Sequence, residues 1–361
     1  MKPRIVSVLY RKVNRFICKT RLKTGLYSKC ALPEYDFDWL QKKWPYVNPE
    51  CVKNSYRRPA PDGIDLSICI PMYNAAAHIE KLLSVIDRQK TEYKYEVVLV
   101  DDGSTDATAG IVSRFIENKD HFHLIRQENG GIAVARNTLV DHVRGEYLSF
   151  VDSDDMICED YIQSLMSAAK TNDADIVKGK YCIKRGNQTI PMGFASFFLW
   201  GGVYRSRLFD RVRFPAGFWY EDMINLFLIV PQAKRTITID KVTNYYTDTE
   251  GSASKLQARS KNYKSLEQLY LVMSLVDDYK KLQLNDRAYL SKRLVAECSH
   301  LMVRRTEGLD EATRMQVFLA VNKLFLDEQV DPKQFSGADR IFAEAILKKD
   351  YDAWKLAARI S

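Results

Sequence analysis

Tyr147-Leu148-Ser149-Phe150-Val151-Asp152-Ser153-Asp154-Asp155 is the stretch that decides the fold. An apolar, strand-forming run ends abruptly in three carboxylates spread over four positions. Such a run suits a buried parallel strand, and in open α/β sheets ligands bind beyond the carboxyl ends of the strands. Carboxylates massed there repel one another unless a cation lies among them. A hard divalent ion that carries substrate phosphates meets that need. The strand end is therefore read as the holder of a metal–nucleotide complex.

The neighbouring sequence repeats the pattern. Leu66-Ser-Ile-Cys-Ile-Pro71 reads as a short buried strand stopped by proline, and Ala75 to Lys90 carries Ile79, Leu82, Leu83 and Ile86 at helical spacing. Val97-Val-Leu-Val100 is a second strand, followed by a helix from Asp106 to Glu117 that the Ser/Thr/Asp cluster caps. Phe122-His-Leu-Ile125 is a third strand, and Gly130-Gly131 leads into a helix to about Val143. After the quoted strand come a helix from Glu159 to Lys170 and a strand at Ile176-Val177. Strands alternating with helices at this spacing imply an α/β fold built on a mostly parallel, doubly wound sheet.

From about residue 190 the pattern is mixed. Gly201-Gly-Val-Tyr-Arg205 and Phe214-Pro215 read as turns, Tyr220-Glu-Asp222 opens a helix through Val230, and Thr236 to Tyr246 reads as a strand. Beyond Lys255 the period is helical, with Leu266, Leu269, Tyr270, Met273 and Val276 in register and further helices over 286–305, 310–326 and 338–358.

Charge is concentrated at the start of the chain. Of the net +8, nine Lys and Arg precede the first acidic residue, Glu34, and the rest of the chain is close to neutral. Residues 1–26 can form an amphipathic helix with Ile5, Leu9, Val13, Phe16 and Ile17 near one face. A basic helix of this kind either lies on an anionic membrane surface or packs on its own domain. No nucleic-acid-binding motif follows it, so no nucleic-acid partner is expected. No apolar run approaches the roughly 18–20 residues of a membrane span, and charges interrupt any secretory h-region. The seven cysteines stand singly, which suits reduced thiols in a cytosolic protein, and five scattered histidines without an HExxH pair exclude a zinc hydrolase.

Four strand ends gather polar groups: Pro71-Met-Tyr-Asn74, Asp101-Asp-Gly-Ser104, Gln127-Glu-Asn-Gly-Gly131 and Asp152-Ser-Asp-Asp155. Singly, each is what caps a helix anywhere. In consecutive β/α units they are brought to one sheet edge, where their groups can converge.

With these residues in view, residues 66–250 resemble the inverting glycosyltransferases of family 2, of the type that builds bacterial surface polysaccharides. The matching segments are Ile70-Pro-Met-Tyr-Asn74, Val100-Asp-Asp-Gly-Ser-Thr-Asp106, Asn129-Gly-Gly-Ile-Ala-Val-Ala-Arg-Asn137, Phe150-Val-Asp-Ser-Asp-Asp155 and Tyr220-Glu-Asp222. The resemblance implies a GT-A nucleotide-diphospho-sugar transferase fold over 65–254, after a basic arm and irregular connector over 1–64 and before a helical module over 255–361. It implies a hexosyl- or N-acetylhexosaminyl-transferase that moves a sugar from a UDP-sugar to a hydroxyl of a glycan or lipid-linked glycan, with Mn²⁺ or Mg²⁺ as cofactor. The protein would work in the cytoplasm, peripherally at the inner face of the cell membrane, and the helical module could join copies of the chain into a homo-oligomer.

The same resemblance assigns residues. Asp154 is the expected direct metal ligand, with Asp152 facing the ribose and the metal-bound waters, and Ser153 lies between them. Asp102 would accept the uracil N3–H, with Pro71, Tyr73 and Asn74 forming the loop beside the base. Arg136 would lie near the nucleotide, the alternative being an ion pair to Asp101 or Asp102. Asp222 would be the base that deprotonates the acceptor, and Glu221 would contact donor or acceptor hydroxyls. Asp155 is read as the cap of the next helix. The family often places a basic residue after the last strand, whereas here Tyr245 to Ser254 holds none, so Lys255 or a closing lid would serve instead. A nucleotidyltransferase would also use carboxylates and a metal on an α/β sheet, but Pro71-Met-Tyr-Asn74 is not its glycine-rich basic loop. A non-catalytic sugar-nucleotide-binding scaffold would not require both Asp154 and Asp222.

Overall fold

The computed structural model describes residues 17–25, 27, 29–53, 63–186, 188–247 and 262–358. The first sixteen residues of the basic arm, part of the connector, and Lys255 with most of the expected lid lie outside the described residues. The chain divides into two compact units, one of Pro49–Lys255 with Asp277–Leu284 and one of Met1–Asn48, Leu256–Val276 and Asn285–Ser361.

The first unit is built on a nine-stranded sheet. Its strands are β1 (Leu66–Met72), β2 (Tyr95–Asp101), β3 (Phe122–Arg126), β4 (Tyr147–Phe150), β5 (Met156–Ile157), β6 (Ile176–Arg185), β7 (Gln188–Phe194), β8 (Gly202–Arg205) and β9 (Thr236–Thr247). They lie in the order β3-β2-β1-β4-β8-β6-β9-β5, with β7 paired to β6. The first four are mutually parallel where they pair, and β8 enters antiparallel between β4 and β6. β6 and β9 are parallel, while β5 and β7 are antiparallel to their partners.

Every residue of β1 and β4 is buried, which is why both read as unbroken apolar runs rather than alternating ones. Helices α1 (Ile79–Asp87), α2 (Thr108–Ile116), α3 (Ile132–His142) and α4 (Tyr161–Thr171) connect the early strands. The apolar stripe of α1, Ile79, Leu82, Leu83 and Ile86, is fully buried in the core with Leu66, Ile68 and Val97.

Two expectations need correction. Gly201–Arg205 is not a turn, because Gly202–Arg205 forms β8. Gly202 allows this closeness: a Cβ there would lie 2.1 Å from Val177 O on β6. The helix expected from Tyr220 is irregular, with tight turns at Glu221–Met223 and Val230–Gln232 around a wide π-helical turn at Asn225–Ile229.

The second unit is helical. It contains the short helix Phe37–Lys43, capped by the Asp36 carboxylate accepting from Trp39 N, and the helical stretch 17–24. Its longer helices are α5 (Glu267–Lys281), whose last turn falls in the first unit, α6 (Arg287–His300), α7 (Glu311–Asp327), α8 (Gly337–Leu347) and α9 (Tyr351–Ala358). The span 338–358 is thus two helices, broken at Lys349, whose φ of 51 is left-handed. No described helix is long and apolar enough to cross a membrane.

Candidate active site

β1 and β2 run parallel and their chain continues to one side, while β4 lies on the other side of β1. The order reverses between β1 and β4, and such a point leaves a crevice at the carboxyl ends of the strands. The polar strand ends open onto it.

After β1, Asn74 takes a left-handed φ of 50, and its Oδ1 accepts from Thr105 N at 2.9 Å. Its own N–H donates to Ser104 Oγ at 2.9 Å, so Asn74 laces the first loop to the second. Pro71 is buried within β1, and the Tyr73 ring is exposed.

After β2, the buried Asp102 carboxylate organises the third loop. Its Oδ1 accepts from Gln127 Nε2 at 2.7 Å and Gly130 N at 2.9 Å, and its Oδ2 accepts from Gly131 N at 2.8 Å. One lone pair of Oδ2 stays available to a further donor. Gly103, at φ +74, lets this loop close: a Cβ there would lie 2.9 Å from Asn129 N.

Arg136 projects from α3 and is buried. Its Nη1 donates to Glu221 Oε1 at 2.6 Å and its Nη2 to Asp152 Oδ1 at 3.3 Å, and the guanidinium lies over the Phe214 ring. Burial alone would lower its pKa, but Glu221, Asp152 and Asp222 together raise it. Glu221 is pushed up to about 7 because its own burial and the charge of Asp222 outweigh the pull of Arg136. Asp222, next in sequence, is exposed. The alternative of an Arg136 ion pair to Asp101 or Asp102 is not formed; Asp101 instead has Arg126 at 3.4 Å.

Three carboxylates follow β4. Asp152, Ser153 and Asp154 are half-buried and Asp155 is buried. Burial, and then the charge of Asp152, raise the pKa of Asp154. The same two causes, in the same order, push Asp155 up to about 8. Asp155 does not cap α4. Its Oδ1 accepts from Thr247 N at 2.9 Å, at the end of β9, and its buried Oδ2 has no hydrogen-bond partner. Excess negative charge and an orphaned carboxylate oxygen fit a hard cation held through Asp152 and Asp154. No ready-made cage of three ligating side chains exists among the described residues, so water and substrate oxygens would complete the shell.

A second buried network escaped the sequence reading. Lys178 on β6 is fully buried, and its Nζ donates to the carbonyls of Phe198 (2.8 Å), Leu199 (3.2 Å) and Trp200 (2.8 Å). Burial lowers its pKa well below the usual lysine range. The Tyr204 hydroxyl and Asn225 Nδ2 also donate to Phe198 O, each at 3.2 Å. Asn225 lies three residues beyond Asp222, so the network ties the 198–200 loop to the Tyr-Glu-Asp turn. The loop presents Phe198 and Trp200 stacked at 4.4 Å, with Tyr246 stacked on Trp200 at 6.0 Å. The one local signal was a lysine inside an apolar strand. Asn137 donates to Phe214 O at 2.9 Å and accepts from Phe214 N at 2.8 Å, a structural pairing.

Residues 67–215 match the profile of "Glycosyl transferase family 2". Glycosyltransferase GlyA of Streptococcus pneumoniae is 30% identical over 220 residues, covering 53% of this chain and 32% of that protein. The chain spans between about a third and about a half of the length of the curated relatives it matches. Among solved structures, S. aureus TarS 1-349 in complex with UDP-GlcNAc superposes with a TM-score of 0.63 at 22% identity, covering 82% of this chain and 90% of that one. Mannosyltransferase PcManGT from Pyrobaculum calidifontis, in complex with GDP-Man and Mn²⁺, gives 0.50 at 19% identity, covering 99% and 95%. The shared architecture is the GT-A fold expected from the sequence.

Proposed function

The chain carries a glycosyltransferase family 2 domain at residues 67–215, and from that premise we propose that it is an inverting glycosyltransferase. It moves a hexosyl or N-acetylhexosaminyl group from a UDP-sugar to a hydroxyl of a surface polysaccharide or lipid-linked glycan. The catalytic domain is taken as 65–254. The observation that carries this reading is the Arg136 bridge, which joins the carboxylates after β4 to the Tyr-Glu-Asp turn in one site.

Each residue then has a task. Tyr73 flanks the base, beside the loop that Pro71 and Asn74 shape, and Asp102 offers its remaining acceptor position to the uracil N3–H. Asp152 and Asp154 hold Mn²⁺ or Mg²⁺, with Ser153 between them, and a bound ion supplies charge neutralisation for the departing diphosphate. Arg136 keeps Asp152 and Glu221 in place through its two Nη groups, beside the nucleotide. Glu221 borders the sugar. Asp222, exposed at the turn, takes the proton of the acceptor hydroxyl as that oxygen bonds to the anomeric carbon. The bond from that carbon to the diphosphate oxygen breaks as the new one forms, and UDP leaves with the electron pair. TarS binds UDP-GlcNAc and PcManGT binds Mn²⁺, which supports the donor class and the ion. The basic arm would bring the enzyme to the anionic inner face of the membrane.

The experiment is a panel of UDP-sugars incubated with protein and Mn²⁺, with UDP release as the readout. Release from one UDP-hexose or UDP-N-acetylhexosamine, lost on chelation, is expected. Uniform inertness across the panel, together with no UDP binding, would remove the proposal.

A further inference from the structure

The helical unit contains a site of its own. A cavity of about 350 Å³ opens between the turn that follows α6, helix α7 and helix α9. Three cations line it, Arg304, Arg314 and Lys355, against a single carboxylate, Glu307. Trp354 adds a fifth polar group to the lining. Its side chain is 1% exposed, and its Nε1, wholly buried, has no hydrogen-bond partner. A buried indole N–H ordinarily finds an acceptor.

Arg314 stands over the Trp354 ring at 5.5 Å, and its buried Nε is also without a partner. Glu311, half-exposed beside the cavity, accepts from Lys355 Nζ at 2.8 Å and lies 3.4 Å from Arg314 Nη1. That carboxylate offsets part of the charge but leaves both orphaned donors unmet. Arg304 is exposed and has no ion pair among the described residues. The nearby His300 is held below its ordinary pKa by burial and then by Arg305 and Arg304, as expected of a region of positive potential.

The geometry points to a binding site for a phosphate group carried on a small polyol or glycerol body. Cations from different elements line one cavity, which suits a tetrahedral oxyanion with many acceptor positions better than a planar carboxylate with two oxygens. The volume exceeds what a bare phosphate fills, and Met302 and Val303 give the wall beside it an apolar face for the ligand's carbon body. This site lies wholly in the helical unit and stands apart from the transferase reading: it needs no chemistry at β4. The phosphate could belong to a lipid headgroup or to a soluble polyol phosphate, and the two sources are separable.

The full chain is titrated with sn-glycerol 3-phosphate in saturating UDP and Mn²⁺, so that any nucleotide site is already filled. Saturable binding is expected, weakened about ten-fold in Arg304→Ala and several-fold in Trp354→Phe, which keeps the ring and removes the donor. Arg304 is exposed, so its loss leaves the fold intact. Co-sedimentation with phosphatidylglycerol vesicles is then compared between the wild type and Arg304→Ala, which share the same basic arm. A drop in the variant identifies the headgroup as the source, and soluble binding without that drop identifies a free polyol phosphate; either supports the site. Absence of saturable binding to both probes, or equal affinity in the wild type and both variants, overturns it.

Discussion

Arg136 donates to Glu221 at 2.6 Å across 85 residues of chain, and it does so inside the protein, with the Arg136 side chain only 7% exposed. The contact fastens the helix after Gly131 to the turn that carries Asp222. It also explains how Glu221 can be buried: the carboxylate has a guanidinium to balance it, and the second arm of the fork steadies Asp152.

Arg136→Met removes that balance while keeping the apolar stem. Glu221 and Asp152 are then left partly buried without their cation, a change that costs about 3 kcal/mol. Urea unfolding should show the loss, and Glu221→Gln placed on top of Arg136→Met should restore part of it. If the double variant is less stable than the single one, the pairing is not what holds these groups.

Asp222→Asn separates binding from chemistry. The side chain keeps its shape and loses its basicity, so UDP affinity should be unchanged while sugar transfer falls at least about 100-fold. Steady-state turnover read beside equilibrium UDP binding distinguishes the outcomes. Transfer at near wild-type rate would mean that another group takes the proton.

Lys178→Met tests the loop that presents Phe198 and Trp200. Losing the ammonium strips three buried carbonyls of their shared donor. A stability loss of about 3 kcal/mol is expected, with a red shift in tryptophan emission as Trp200 loosens. Unchanged stability and emission would show that the carbonyls find other partners.

How much of this could be read from the chain alone depended on distance along it. Strands β1 to β4 and the helices between them were legible, because unbroken apolar runs and 3.6-residue periods are local signals. So was the gathering of polar groups at strand ends, since a parallel β/α order dictates it. The partners were not. Asp155 looked like a helix cap because acidic residues often cap helices, yet its partner Thr247 is 92 residues away. Arg136 looked free to pair with Asp101 or Asp102, and only the folded turn at Glu221 decides between them. Gly201-Gly202 resembled a turn, whereas Gly202 is there because β6 passes too close for a side chain.

If the carboxylates after β4 hold a divalent ion beneath a nucleotide diphosphate, that ion sets the affinity for UDP. Calorimetric titration of UDP, with and without Mn²⁺, into wild type and Asp154→Ala tests it most directly. Mn²⁺ should tighten UDP binding in the wild type and have no such effect in the variant. Equal tightening by Mn²⁺ in both proteins would contradict it.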